Sequence, residues 1–317
     1  MGDPLGQIVR RLDNSHCRAP LLRCTVARMS SPVERFAPSP TGPLHLGHAY
    51  SALLAHDAAR EVGGQFLLRI EDIDTTRSRP EHEAAIFDDL AWLGITWEEP
   101  VLRQSARFDA YRAVLDQFRE RGLIYPCTCT RKQIAAAMSA PQEGVEGAPV
   151  YPGTCRGRSF DDPSLSGDYA LRLDMRKALA SLGGAGVVKK LHFKEIGRGP
   201  KREKGKIALD MPILIEKTGD IVLARKDVPA SYHLSVVLDD AMQQVTHVTR
   251  GHDLFEATPI HRVLQALTGR PTPIYRHHDL IRDEAGRRLA KRDDARAIST
   301  LRMAGHSPQD IRAMVGL

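Results

Sequence analysis

Apolar and polar positions change their period several times along the chain. Residues 33–37 form an apolar-rich run of strand length, 46–62 carry apolar residues at helical spacing, and 66–70 form a second strand-length run. Helical periods follow at 81–93 and 106–121. This alternation predicts an α/β fold with a parallel sheet. Between Pro126 and Gly167 the period collapses into Pro, Gly, Thr and Cys, after which strand-like pieces return at 169–173, 190–194 and 213–223. The broken stretch reads as an insertion. Helical patterns at 231–242 and 253–267, with an apolar strand at 245–248 between them, predict that the sheet resumes. The expected organisation is an N-terminal extension over 1–30, a first half of the sheet domain over 31–125, an insertion over 126–228 and a second half over 229–317 with short C-terminal helices.

The extension differs in composition. It carries Arg10, Arg11, Arg18, Arg23 and Arg28 against Asp3 and Asp13, without a sustained period. Such an Arg-rich, acid-poor segment is compositionally like a transit peptide, but a plainer account is a disordered extension ahead of a start at Met29, with Met1 the alternative. Over 317 residues, 42% of them apolar, a packed core is expected, and no run nears the 18 or so uninterrupted apolar residues of a membrane span. Lys and Arg exceed Asp and Glu by 6, with a pI near 9.1, which suits a polyanionic partner without requiring one. Of the 5 cysteines, Cys127, Cys129 and Cys155 fall in one short stretch, pointing to reduced thiols and a metal site rather than a disulfide scaffold.

The strongest local signal is Pro38-Ser-Pro-Thr-Gly-Pro-Leu-His-Leu-Gly-His48, between the first strand and the first long helix. Three prolines and Gly42 fix a tight loop, while Gly47 admits a close neighbour. His45 and His48, three apart, share one face of a helical first turn, where unpaired amides and the helix dipole favour phosphate. Neutral imidazoles there suit donation to a phosphoryl oxygen that gains charge in a transition state.

Arg35-Phe-Ala-Pro-Ser-Pro-Thr-Gly with His45-Leu-Gly-His48, followed by Arg69-Ile-Glu-Asp-Ile-Asp74, closely resembles the glutamyl-tRNA synthetase family of class I aminoacyl-tRNA synthetases. The resemblance continues through Tyr125-Pro-Cys-Thr-Cys129, Tyr232 to Asp240, Val248 to Asp253 and Arg288-Leu-Ala-Lys-Arg292, and so covers nearly everything from Glu34 onward. It implies a Rossmann-like parallel sheet with an inserted zinc-containing subdomain, and ATP-dependent activation of L-glutamate. His45, Gly47, His48 and Lys291 would meet ATP, with His45, His48 and Lys291 catalytic. Mg2+ would accompany the nucleotide, although the sequence displays no side-chain site for it. Lys291 matches the mobile lysine of the family's second signature, while Arg288, Ala290 and Arg292 depart from it. Arg35, Phe36, Ala37, Pro38 and Ser39, together with Glu71, Tyr232 and Arg250, match the glutamate-binding positions, with Glu71 facing the α-amino group. A side-chain carboxylate calls for a forked guanidinium, and an ammonium for an acid. Taken singly, Arg35 and Arg250 read as strand-flanking ion-pair residues, Glu71 as a partner within the Arg69 neighbourhood and Tyr232 as core.

No histidine or aspartate lies between Cys127 and Cys155 to complete a four-coordinate zinc site, so the fourth ligand is an oxygen donor: Tyr151, Glu143 or Glu146. The resemblance of Tyr151-Pro-Gly-Thr-Cys155 to the zinc module of shortened family members selects Tyr151 and a structural Zn2+. The chain ends at Leu317, 25 residues past Arg292, which leaves no room for the family's large anticodon-binding region. That architecture is similar to the truncated members that attach glutamate to queuosine in the anticodon loop of tRNA(Asp), and it implies a cytoplasmic monomer. Two other readings stand beside it: glutamylation of the 3′ end of tRNA(Glu), and a non-catalytic, zinc-containing RNA-binding paralogue. Lys189-Lys190, 198–206 and 287–292 are the basic clusters available to RNA phosphate.

Overall fold

The computed structural model describes residues 31–130, 132–134, 150–165, 169–281 and 297–317. The expectations for 1–30, and for Glu143, Glu146, Arg288, Lys291 and Arg292, therefore lie outside the described residues.

Strand β1 (Val33–Phe36) pairs in parallel with β2 (Gln65–Ile70), and β2 with β3 (Glu98–Arg103). Between β1 and β2 runs helix α1 (Leu46–Glu61), whose Ala49, Ala52, Leu53, Ala55 and Ala59 are buried. The alanines let the helix lie close to the strands, and together with Phe66, Leu68 and Ile70 they build one of two large apolar cores. Helices α2 (Pro80–Trp92) and α3 (Phe108–Glu120) follow. After a three-stranded antiparallel sheet of β4 (Ile124–Cys127), β5 (Ala170–Leu173) and β8 (Val222–Ala224), the parallel arrangement resumes. There β10 (Ile274–His278) pairs in parallel with β9 (His247–Gly251) on one side and β6 (His192–Glu195) on the other, and β7 (Gly205–Ala208) adds an antiparallel edge. The two halves meet where Thr246 N donates to Val33 O at 3.0 Å and Val33 N to Thr246 Oγ1 at 2.8 Å. The pairing of β6 with β10 thus crosses the boundary expected at 228.

Two expectations are corrected, and one strand was not foreseen. The run 213–223 is strand only at its end: Met211–Ile213 is a helical turn and Leu214–Thr218 a π-helix. Asp210 caps that turn by accepting from Ile213 N at 3.0 Å, Pro212 sits in its first turn, and Gly219, at φ 64°, ends it. Strand β3 had no apolar alternation to betray it; it is an edge strand containing Pro100, a place where a missing N–H costs no ladder bond. The expected helix over 253–267 is a 3-10 turn at His252–Leu254 followed by the helix Ala257–Thr268. No helix among the described residues is long and apolar enough to cross a membrane.

Candidate functional site

The loop between β1 and α1 turns on its prolines, and Glu71 N donates to Pro38 O at 2.9 Å, which ties the end of β2 to it. At the start of α1 the helix cap is built from two imidazoles. His45 Nδ1 accepts from Gly47 N at 3.1 Å, and His48 Nδ1 accepts from His45 N at 3.2 Å. A neutral ring whose Nδ1 accepts carries its hydrogen on Nε2, so both rings are set as Nε2 donors. Their centroids are 3.8 Å apart. At Gly47 a Cβ would lie 3.1 Å from the His45 ring, which accounts for a glycine there.

A cavity of about 560 Å³ opens beside this cap. Its wall gathers Arg35 to Ser39, His45, Gly47, His48, Glu71, Tyr232 and Arg250, so every expected substrate-facing residue that is described lies on it. It also takes in Ser51, Thr249, Asp253 and His278, which the sequence did not single out.

Two buried arginines shape the electrostatics. Arg69 donates to Asp240 Oδ1 at 2.8 Å and to Gln243 Oε1 at 3.0 Å, and its Nη2 is 3.5 Å from Glu71 Oε1, an ion pair without hydrogen-bond geometry. Arg35 Nε shares Asp240 Oδ1 at 3.2 Å. Burial works to raise the Asp240 carboxyl, and the two guanidiniums outweigh it, holding it below the ordinary carboxylate range. Glu71 goes the other way: burial pushes it up to about 7 against the pull of Arg69 and Arg35.

Arg250 is held differently. Its Nε donates to His277 Nε2 at 3.0 Å, Nη1 to Tyr232 OH at 3.2 Å, and Nη2 to Thr258 Oγ1 at 2.7 Å, while His261 Nδ1 is 3.3 Å from Nη1. Burial, then the Arg250 charge, lowers His261 well below the ordinary imidazole value and His233 behind it to about 4. His277 is lowered by burial first, against the opposing Glu195. These groups are neutral near pH 7, and among the described residues no carboxylate lies within ion-pair distance of Arg250.

A separate small cluster joins Tyr125, Cys127, Tyr151 and Cys155, with Cys129 against it. The three sulfurs lie within 4.8 Å of one another. Cys129 Sγ is 3.4 Å from Cys155 Sγ, and Tyr151 OH is 3.4 Å from Cys127 Sγ and 3.5 Å from Cys129 Sγ. Tetrahedral zinc with sulfur bonds of about 2.3 Å has edges of about 3.8 Å, so these three separations are near what such an ion would need. Arg172 lies 3.7 Å over the Tyr151 ring and donates to Cys127 Sγ at 3.4 Å, so a fixed cation stands beside the cluster.

Asp240, Arg69, His261, His277 and Glu195 were not foreseen. Arg69 and Asp240 fall within the motifs quoted above, with no role assigned to them there, and a further signal is charge where apolar residues dominate, as in the His277-His278 pair closing β10.

A family model for tRNA synthetases class I (E and Q), catalytic domain, matches residues 33–163 and 193–317. A glutamyl-Q tRNA(Asp) synthetase of Rhodobacter capsulatus is 55% identical over 289 residues, covering 90% of this chain and 100% of its own length. One from Symbiobacterium thermophilum is 39% identical, covering 87% of this chain and 83% of its own. The solved glutamate-tRNA synthetase of Elizabethkingia anophelis superposes with a TM-score of 0.66 at 28% identity over 83% of this chain. A glutamate tRNA ligase from Elizabethkingia meningosepticum, crystallised in complex with its amino acid, superposes at 0.65, also at 28% identity and over 83% of this chain. This chain spans about half the length of those two solved proteins, 53% and 52%.

Proposed function

The chain belongs to the class I tRNA synthetases of the E and Q type, a family of ligases, and we propose that it activates L-glutamate with ATP and transfers it to queuosine in the anticodon loop of tRNA(Asp). The observation that carries this reading is Arg250: a buried guanidinium on the cavity wall whose described partners are all neutral, in the same cavity as two Nε2-donating imidazoles. A permanently charged group without a counter-ion is a vacancy for an anion, here the side-chain carboxylate of the amino acid.

Glu71 meets the α-ammonium, and Arg35 to Ser39 and Tyr232 complete the amino-acid side. One oxygen of the substrate α-carboxylate attacks the α-phosphorus of ATP and pyrophosphate leaves; a hydroxyl of the RNA then attacks the acyl carbon of the adenylate, losing its proton, and AMP leaves. The protein supplies alignment and countercharge: His45 and His48 donate to phosphoryl oxygens from the positive end of α1, and Lys291 reaches the departing pyrophosphate. The ATP phosphates would carry a Mg2+ ion, whose charge would offset theirs. Cys127, Cys129, Cys155 and Tyr151 would hold a Zn2+ whose role would be structural, since four protein ligands would leave no open position. The queuosine preference is supported by the names of the Rhodobacter and Symbiobacterium relatives. Exposed Arg198, Lys201, Arg202, Lys204 and Lys206 support an RNA partner: Arg198 O faces His252 Nε2, next to Asp253 on the cavity wall.

Glutamate-dependent exchange of labelled pyrophosphate into ATP tests activation, and its absence would leave a non-catalytic RNA-binding paralogue. Label from glutamate should appear on queuosine-containing tRNA(Asp); label on the 3′ end of queuosine-free tRNA(Glu) would overturn the acceptor. Lys291→Ala should slow exchange with little change in the glutamate requirement, and an unchanged rate removes Lys291 from the step. Metal analysis should find about one Zn per chain, less in Tyr151→Phe; metal-free wild type ends the zinc assignment.

A further inference from the structure

Glu195 closes β6, at 1% exposure, inside the stretch that interrupts the sheet domain in sequence. It does not line the cavity. Its Oε1 accepts from Gly197 N at 2.8 Å and from His277 N at 3.0 Å, and its Oε2 faces His277 Nδ1 in a short contact. A carboxylate on Nδ1 fixes the ring hydrogen there and leaves Nε2 as a lone pair. That lone pair receives Arg250 Nε–H. The chain grips the ring closely: Arg198 N donates to His277 O at 3.0 Å, and a Cβ on Gly197 would fall 2.3 Å from the same oxygen. Tyr275 stacks near His277 at an interplanar angle of 9°, and Phe255 meets it edge-on with centroids 5.0 Å apart.

We infer that Glu195 and His277 are positioning residues for amino-acid recognition: Glu195 fixes the tautomer of His277, and His277 fixes Arg250 against the substrate's side-chain carboxylate. The inference rests on the glutamate pocket proposed above. A carboxylate touching Arg250 directly would satisfy the guanidinium within the protein, whereas one placed an imidazole away orients it and leaves its charge for the ligand. The tautomer is the part that matters: a hydrogen on Nε2 would set two donors against each other.

The test is a pair of isosteric variants read by glutamate-dependent pyrophosphate exchange. The amide of Asn reproduces Nδ1 and that of Gln reproduces Nε2. His277→Asn keeps the bond to Glu195 and loses the one to Arg250, so KM for glutamate should rise about 10- to 100-fold, the cost of a lost hydrogen bond to a charged group, with kcat and KM for ATP little changed. His277→Gln should recover most of that affinity. Glu195→Gln, whose amide drives the ring hydrogen to Nε2, should raise KM for glutamate about tenfold. Wild-type KM in His277→Asn and Glu195→Gln, equal damage from Gln and Asn at 277, or a parallel rise in KM for ATP would each overturn the inference. Should His277→Asn fail to fold, Glu195→Gln carries the same decision. Arg250→Met separates the two levels: unchanged KM for glutamate there removes the pocket reading itself, whereas a raised KM beside silent His277 and Glu195 variants removes only the positioning pair.

Discussion

Arg69 and Arg250 are both shut off from water, at 0% and 4% exposure, and the protein treats them in opposite ways. Arg69 is answered inside the fold by Asp240 and Glu71, and burial, which would lower it, is outweighed by those charges so that its ionised form is favoured. Arg250 is surrounded by a phenol, a threonine hydroxyl and imidazoles that burial keeps neutral. A guanidinium with its counter-ions built in is scaffold; one given only neutral acceptors is held in place with its charge unspent. The two differ in their partners, not in their burial, and it is on this difference that the proposed binding role of Arg250 rests.

That contrast can be broken by substitution. The largest effect is expected from Arg69→Met, which leaves Asp240 buried with Arg35 as its remaining cation; unfolding in urea should show a loss of about 3–5 kcal/mol. Arg250→Met leaves neutral acceptors unsatisfied but no ion, so urea stability should fall by less, about 1–3 kcal/mol, while KM for glutamate rises about 100-fold in pyrophosphate exchange. Equal destabilisation by both would erase the distinction. The smallest effect concerns Glu71. Its carboxyl titrates at about 7, so the carboxylate that pairs with an ammonium is present above that pH and lost below it. KM for glutamate should therefore rise about tenfold per pH unit below 7 and level off above, with Glu71→Gln flattening the profile. A flat wild-type profile would take Glu71 out of ammonium recognition.

The chemistry-bearing loop was legible because its residues are neighbours in sequence: the prolines, Gly47 and the three-residue spacing of His45 and His48 state their geometry locally. The partners of the arginines were not, since Asp240 lies 205 residues from Arg35 and Glu195 82 residues from His277. Only the tertiary fold brings them together. The run 213–223 misled because a short apolar stretch fits strand and buried helix alike, and of the deciding residues Asp210 lies ahead of the run and Gly219 inside it. Strand β3 went unseen because its glutamates and proline follow the demands of an exposed edge and not of a core.

The helix cap made of His45 and His48 carries a consequence for anyone disabling this protein. Their Nδ1 atoms stitch the opening turn of α1, so the same rings that are proposed to meet phosphate also hold the backbone that presents them. Loss of turnover after swapping either ring for alanine would confound a frayed helix with missing chemistry. Asparagine at 45, whose amide oxygen is itself a good cap, would mend the turn without restoring the ring, and so tell the two kinds of damage apart.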